Sequence, residues 1–179
     1  PDRGNLENPL PDVKTRAREK EVLNTLNKEL QLNQFDIIKQ GNDTIEYKLF
    51  RKQKNFLSIV YLKDGCVPCH TKFINWYKWT KKMERKFKSY TTLFIIQGYN
   101  YKYFIKKVKE IENIEDDYYI IMDPNFSFSE SNKKIPHWIV ERSILIDKND
   151  RIILIGTPFD TKSMHNLFIK SLSELAIND

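Results

Sequence analysis

Runs of hydrophobic residues separated by polar segments divide the chain into candidate strands and helices. The stretch "FLSIVYL" at residues 56–62 is apolar over the full length of a strand, which is typical of a strand buried inside a sheet. Residues 93–96 form a second run of this kind, and residues 118–122 form a third. Together the three runs predict strands of one central sheet.

Helical spacing of apolar side chains follows the first two of these strands. Residues 70–88 and residues 99–113 each repeat apolar residues at intervals of three and four, as expected of a helix that packs on a core. The resulting order of strand, helix, strand, helix is typical of an α/β protein. The predicted inward positions are Phe73, Trp76, Tyr77, Thr80, Met83 and Phe87 in the first helix, and Tyr101, Ile105, Val108 and Ile111 in the second.

The last third of the chain predicts a β-hairpin and a closing helix. Apolar runs at residues 143–147 and 151–156 stand on either side of the short polar segment "KND", which predicts the hairpin. A final helix is predicted over residues 161–176. Residues 123–140 contain two prolines and predict an irregular segment. Its expected anchors are Phe126, Phe128, Ile135 and Trp138.

The N-terminal part of the chain is expected to be separate from the main domain. Residues 1–12 are polar and contain three prolines, which predicts a flexible tether. Residues 13–34 are expected to form an N-terminal helical extension. A length of 179 residues suits one sizeable core, so residues 35–179 are predicted to be a single domain.

Two elements are predicted before the first buried strand. The first is a helix over residues 13–31, capped by Asp12, with three leucines at helical spacing. The second is a strand over residues 44–50, in which alternate apolar residues share a face. The leucines of the helix are Leu23, Leu26 and Leu30, and the strand face consists of Ile45, Tyr47 and Leu49.

The chain has two cysteines, and both belong to the segment "GCVPCH" that directly follows the first buried strand. Two kinds of chemistry use this pattern. Cys66 and Cys69 match the spacing of a redox dithiol, whereas the addition of His70 completes the Cys-x-x-Cys-His pattern of c-type haem attachment. Because a buried strand runs directly into the motif and Pro68 suits the first turn of a helix, the context favours the dithiol.

Charge says little about partners. The formal net charge is +6, from 30 basic and 24 acidic residues that are mostly interspersed. The lysines at 102, 106, 107 and 109 are interpreted as the solvated face of a helix, and no nucleic-acid partner is predicted. A zinc site is not predicted either, since His70 is the one further ligand candidate beside the dithiol.

The order of elements, with the dithiol between a central strand and its helix, resembles the thioredoxin fold. More closely, the sequence resembles membrane-anchored thioredoxin-like proteins of bacterial envelopes, of the TlpA and ResA type. The segments "SIVYLKDGCVPCHTKFINWYKW", "YYIIMDPNFSF" and "SILIDKNDRIILIGTP" are similar to thioredoxin-like lipoproteins of Bacteroidetes. The resemblance implies a mixed central sheet with flanking helices, an N-terminal helical extension, and an inserted strand before the C-terminal hairpin.

The chemistry expected of the dithiol follows from its place at a helix N-terminus. Unpaired amide groups there favour an anion, so the pKa of the Cys66 thiol is expected below the ~8.5 of free cysteine. Cys66 would then attack a substrate disulfide, and Cys69 would resolve the mixed disulfide. These two residues are the predicted catalytic pair, and the exchange needs no cofactor.

The resemblance also implies partners and a location. The expected partners are protein thiols or disulfides together with an upstream redox partner. The expected location is the cell envelope, periplasmic or lipid-anchored, with membrane tethering through a removed N-terminal segment.

The predicted substrate groove departs from the family at two places. Its expected residues are Gly65, Val67, Pro68, Glu141 and Arg142. The family commonly has an aromatic residue where Gly65 stands, and it places a cis-proline where counting back from the hairpin reaches Glu141. The second departure leaves open an alternative function, a non-catalytic thioredoxin-like module that binds partners or senses redox state.

Overall fold

The computed structural model describes residues 13–177, with side chains described for residues 13–174. A seven-stranded mixed sheet in the order β2-β1-β5-β4-β3-β6-β7 forms its centre. The α/β class and the mixed sheet with flanking helices are therefore confirmed. The strands are β1 (Ile37–Gln40), β2 (Asp43–Glu46), β3 (Phe56–Lys63), β4 (Tyr90–Gln97), β5 (Tyr119–Met122), β6 (Ser143–Ile146) and β7 (Ile152–Ile155).

Seven helices accompany the sheet in the described part of the chain. Two of them, α3 and α4, follow β3 and β4 directly, as the sequence predicts. The helices are α1 (Val13–Thr25), α2 (Tyr47–Gln53), α3 (Val67–Glu84), α4 (Tyr101–Ile111), α5 (Ser127–Ser131), α6 (His137–Val140) and α7 (Lys162–Ile177).

The pairing of the strands brings one end of the sheet together. β3, β4 and β5 are parallel to one another, and β6 runs antiparallel to β3 with Ser143 opposite Val60. β6 and β7 form the predicted hairpin, with Ile144 opposite Ile155. The start of β6 and the end of β7 consequently lie at the same end of the sheet as the carboxyl end of β3, where the dithiol follows.

The sheet separates two apolar cores. On one side α3, α4 and α7 cover the sheet with large buried side chains such as Phe73, Trp76 and Phe168. On the other side the segments before β3 and the helices α2, α5 and α6 pack on Leu57, Ile59 and their neighbours. The near-continuous apolar sequence of β3 is explained, since seven of its eight residues are buried.

The first helix is shorter than its sequence predicts. It ends at Thr25, because Asn27 adopts a left-handed conformation that terminates a helix, and the chain then runs extended along the hairpin. The Asn27 N–H donates to Ile152 O at 2.8 Å, and the Ile152 N–H donates to Lys28 O at 2.9 Å. Leu30 is buried in this extended segment, whereas Leu23 is 70% exposed, so the predicted leucine face is wrong. The tether predicted at 1–12 lies outside the described residues.

The strand predicted over residues 44–50 is also wrong in its second half. β2 ends at Glu46, and Tyr47 begins α2, in which Tyr47 and Phe50 point into the core one turn apart. Leu49 is 49% exposed as a result. An alternating pattern over so few residues fits one turn of helix equally well, and the buried Tyr47–Phe50 pair decides between them.

Smaller corrections concern single positions. Ile111 and Phe126 are about half exposed, although both were expected to face the core. Phe104 is buried in α4 and takes the inward place beside Val108. The segment 123–140, predicted to be irregular, contains the two short helices α5 and α6. The first of them begins where buried Asp123 accepts the backbone N–H groups of residues 127 and 128.

Candidate active site

The two cysteines lie at the junction of β3 and α3. β3 ends at Lys63, and Cys66 is the N-cap residue of α3. The Cys69 N–H donates to the Cys66 carbonyl oxygen at 3.0 Å and closes the first turn. Pro68 lies within that turn, where a missing N–H costs no helical hydrogen bond. The motif therefore begins a helix, as its sequence predicts.

Cys66 and Cys69 are joined by a disulfide bond, with their Cα atoms 5.1 Å apart. Both residues are partly exposed. A bond between cysteines three residues apart closes too short a loop to restrict the unfolded chain strongly. Its contribution to stability is therefore small, and an exposed pair of this kind is open to exchange with other thiols.

The surface around the disulfide is open. Gly65 and Pro68 are exposed, and Val67 is 73% exposed. A Cβ atom added to Gly65 would meet nothing within 4 Å. A partner can thus approach Cys66 over the edge formed by these three residues.

The electrostatic environment of Cys66 is set by the start of α3. The helix has 18 residues and carries no acidic side chain in its first turn. Its first amide groups have no intrahelical acceptor and present partial positive charge toward the N-cap. We therefore expect this arrangement to favour a thiolate at Cys66 in the reduced protein.

Asp64 supports the loop beside the motif. Its carboxylate accepts the backbone N–H groups of Tyr99 at 3.1 Å and Asn100 at 3.5 Å. The side chain packs directly over Gly98, where φ is +154° and a Cβ atom would collide with the carboxylate. Asp64 therefore orders the loop between β4 and α4.

His70 is enclosed between α3 and α4. It is 5% exposed, its ring centroid lies 5.1 Å from that of Phe104, and its Nε2 is buried without a hydrogen-bond partner. An axial haem ligand must turn a ring nitrogen toward an iron atom outside its own helix. Because Nε2 is buried in the helix interface and both sulfurs are joined to each other, these residues do not fit a c-type haem.

Two predicted groove residues lie on the strand side of the site. Glu141 and Arg142 directly precede β6, at the same end of the sheet as the dithiol. The Lys72 Nζ, one turn beyond Cys69 in α3, donates to the Glu141 carbonyl oxygen at 2.8 Å. Burial lowers the pKa of Lys72, and the nearby charge of Glu141 partly opposes that shift. No peptide bond within residues 13–177 is cis.

Two of the five predicted groove residues, Pro68 and Arg142, line separate cavities, and Gly65, Val67 and Glu141 line neither of them. Pro68 lines a cavity of about 470 Å³ together with Lys72 and Trp76. Arg142 lines a larger cleft of about 710 Å³ whose other wall is α1. Thr157 and Asp160 line both, so the two cavities adjoin at the loop after β7.

Sequence reasoning missed three residues of this surface. Lys72 could have been found from its spacing, since it stands three residues after Cys69 and four after Pro68 on one helix. For Thr157 and Asp160 the sequence signal is weaker, since Gly156 and Pro158 indicate only that a loop follows the hairpin. No group of three His, Cys, Asp or Glu side chains within the described residues is arranged to hold a metal ion.

Comparison with solved structures gives several matches over most of the chain. A thiol-disulfide oxidoreductase from Bacteroides fragilis matches with a TM-score of 0.57 and 12% identity, over 81% of this chain and 99% of that one. The thioredoxin domain of a thiol-disulfide oxidoreductase from Bacteroides vulgatus matches with a TM-score of 0.53 and 12% identity, over 82% and 97%. The chain has a thioredoxin fold. The exposed lipoprotein thioredoxin Etrx1 of Streptococcus pneumoniae matches with a TM-score of 0.51 and 14% identity, over 79% of this chain and 98% of that one.

The chain resembles these structures in fold. At sequence identities of 12–14%, the TM-scores of 0.51–0.57 establish the fold alone. No protein-family model matches the chain, and no curated protein matches its sequence. What the dithiol does must therefore be argued from its own geometry.

Proposed function

We propose that the chain is a thiol-disulfide oxidoreductase that acts on proteins through Cys66 and Cys69. The observation that supports this proposal best is the partly exposed disulfide at the N-terminus of α3. Its two sulfurs are close enough to interconvert between dithiol and disulfide without moving the helix. The thioredoxin fold that the chain shares with thiol-disulfide oxidoreductases of Bacteroides species adds support.

The mechanism is a pair of thiol-disulfide exchanges. The Cys66 thiolate attacks one sulfur of a substrate disulfide, forms a mixed disulfide and releases the other sulfur as a thiolate. Cys69 loses its proton and attacks the Cys66 sulfur, which releases the second substrate thiolate and forms the Cys66–Cys69 disulfide. Two electrons pass to the substrate, and the reverse sequence oxidises a dithiol.

Reduction of insulin disulfides by the purified protein, with dithiothreitol as the electron source, tests this proposal. The wild-type chain should accelerate insulin reduction over dithiothreitol alone. Cys66→Ser should abolish the acceleration, because Cys69, the one cysteine that is left, is not at the helix N-cap and has no second thiol to resolve a mixed disulfide. Retention of full activity by Cys66→Ser would contradict the proposed mechanism.

A second candidate function is a binding or redox-sensing module without turnover. Glu141 supports it, because this residue stands where the family places the cis-proline that exposes a backbone edge to substrate. A glutathione redox series combined with the insulin assay distinguishes the two functions. Both would interconvert reversibly between dithiol and disulfide, but a sensor would fail to accelerate insulin reduction.

We further propose a location in the cell envelope, with an upstream redox partner that resets the dithiol. The support is the sequence resemblance to envelope thioredoxin-like proteins and the similar shape of an exposed lipoprotein thioredoxin. None of the helices in residues 13–177 has the length and apolar character that a membrane span requires. Immunoblots of osmotic-shock, membrane and cytoplasmic fractions test the location, and recovery with a cytoplasmic marker would contradict it.

A further inference from the structure

The backbone at Glu141 and Arg142 is held in place by a contact from the dithiol's own helix. Residues 137–140 form the single turn of α6, and the N–H groups of Glu141 and Arg142 donate to the carbonyl oxygens of His137 (3.0 Å) and Ile139 (3.1 Å). The carbonyl groups at a helix C-terminus lack intrahelical donors. Lys72 supplies one, since its Nζ lies 2.8 Å from the Glu141 carbonyl oxygen.

The contact is specific to the main chain. The Glu141 carboxylate lies 3.6 Å from His137 Nδ1, whereas the Lys72 Nζ donates to the Glu141 main-chain oxygen. The charge of the carboxylate acts on Lys72 through space and partly opposes the lowering of the Lys72 pKa by burial. A cation at the C-terminal end of a helical turn also interacts favourably with the dipole of that turn. The lysine stem runs beside Pro68 and Trp76 in the cavity next to the motif.

We propose that Lys72 is a positioning residue that fixes the main chain of residues 141–142 against α3, so that a substrate polypeptide can dock beside Cys66. The inference rests on the proposed oxidoreductase function. Antiparallel pairing of β6 with β3 ends at Ser143, which leaves residues 141–142 unpaired by the sheet at the dithiol end. The Lys72 contact from α3 gives this segment a fixed distance from the dithiol. A proline in the same place would instead constrain the main chain through its own ring.

The test compares three variants. Lys72→Met removes the donor and keeps most of the stem, Lys72→Arg keeps a cationic donor, and Lys63→Met removes an exposed lysine just before the motif as a charge-matched control. Each is assayed with insulin and with the small disulfide 5,5′-dithiobis(2-nitrobenzoate), which does not need a docking surface. Thiol ionisation is followed by absorbance at 240 nm across pH.

For Lys72→Met the expected loss is about tenfold in kcat/KM for insulin, mainly through KM, because a charge-assisted hydrogen bond is removed. The rate with the small disulfide should stay within about twofold of the wild-type rate, as expected if Lys72 acts through the backbone. The midpoint pH of the thiol titration should be the same as in wild type. Lys72→Arg should restore most of the insulin activity, and Lys63→Met should behave as wild type. Equal losses on both substrates with a shifted thiol titration would overturn positioning in favour of a direct charge effect.

Hydrogen exchange separates failure of this inference from failure of the proposed function. Amide exchange in a peptide spanning residues 137–143 should be about tenfold faster in Lys72→Met than in wild type or Lys63→Met, since the contact that holds the segment is gone. Unchanged exchange would overturn the positioning role. If wild type reduces neither disulfide, the oxidoreductase proposal fails, and the exchange data still decide whether Lys72 holds the segment.

Discussion

At the residue scale, single side chains hold the main chain on either side of the dithiol: Lys72 donates to the Glu141 carbonyl oxygen at 2.8 Å, and Asp64 accepts the Tyr99 N–H at 3.1 Å. The spacing of Cys66 and Cys69 and the proline between them were sufficient to predict a dithiol at a helix start. The contact between Lys72 and Glu141 joins residues 69 positions apart, and no local pattern signals a side chain that bonds to a distant main-chain oxygen. The same holds for Asp64 and the amide of Tyr99.

Gly98 and Gly65 should respond differently to substitution by alanine. Gly98→Ala should lower the free energy of unfolding by about 1–3 kcal/mol, because φ is +154° and the new Cβ would displace the Asp64 carboxylate from its amide donors. Gly65→Ala should change it by less than about 1 kcal/mol, since its Cβ has open space. Urea denaturation of both variants measures the difference, and equal effects would contradict this account of the Asp64 loop.

Tyr90 should make stability fall in alkaline solution. Burial raises its pKa to about 12, while its hydroxyl contacts the Ser58 hydroxyl at 2.9 Å and the Thr92 hydroxyl at 3.3 Å. The folded protein keeps the phenol proton at pH values where the unfolded chain, with an ordinary pKa near 10, releases it. The stabilising contribution is therefore complete below pH 10 and is lost as pH rises through about 12.

The variant Tyr90→Phe isolates this effect. Between pH 9 and pH 11 the wild type should lose about 1.4 kcal/mol more of its free energy of unfolding than Tyr90→Phe, measured by urea denaturation at each pH. At neutral pH the variant should be less stable by about 1–2 kcal/mol, because the Ser58 and Thr92 hydroxyls lose a partner. Parallel pH profiles for the two proteins would show that Tyr90 is not the group responsible.

At the element scale, the strands and helices of the central sheet were predicted well, and the segments before β3 poorly. β3 and β4 were placed correctly from their continuous apolar runs, α3 from its helical spacing, and the hairpin from its polar turn. Residues 26–31 and 47–50 were misassigned because their structure depends on distant partners. The segment after α1 is extended because it pairs with the edge of the hairpin, and α2 is helical because Tyr47 and Phe50 are buried together.

Asn132 should be the main attachment point of the segment after α1. Its side chain is 3% exposed, accepts the Gln31 N–H at 2.8 Å, and donates to the Gln31 O at 2.9 Å and the Phe128 O at 2.8 Å. Asn132→Ala should cost about 2–3 kcal/mol, because it leaves buried backbone groups without partners. Asn33→Ala, at an exposed position of the same segment, serves as the control in urea denaturation. Equal stability of the two variants would contradict this role.

The start of α3 should make Cys66 more acidic than a free cysteine. In reduced Cys69→Ser, Cys66 is the only thiol, so absorbance at 240 nm reports its ionisation alone. The midpoint should lie below pH ~8.5, because the first amide groups of the helix stabilise the thiolate. The same variant unfolded in urea should titrate near ~8.5. Coincident folded and unfolded curves would show that the helix has no effect on the thiol.

At the scale of the whole molecule, the fold class and the position of the cysteine pair at a helix start were predictable, whereas the arrangement of the surface around the pair was not. The central place of β3 in the sheet follows from its continuous apolar sequence, and the dithiol directly follows that strand. The surface around it is assembled from α3, the segment before β6 and the loop after β7, with α1 beyond. Only the three-dimensional arrangement shows how residues from these distant parts of the chain meet.

The measurement that tests the central claim most directly is capture of the mixed disulfide. The reduced Cys69→Ser variant, mixed with insulin whose disulfides are intact, should accumulate a covalent complex through Cys66. Mass spectrometry detects this complex, and dithiothreitol releases it. Cys66→Ser should form at least tenfold less complex under the same conditions, since Cys69 is not at the helix N-cap. Equal capture by both variants, or none by Cys69→Ser, would contradict the claim that Cys66 is the attacking thiol of a thiol-disulfide oxidoreductase.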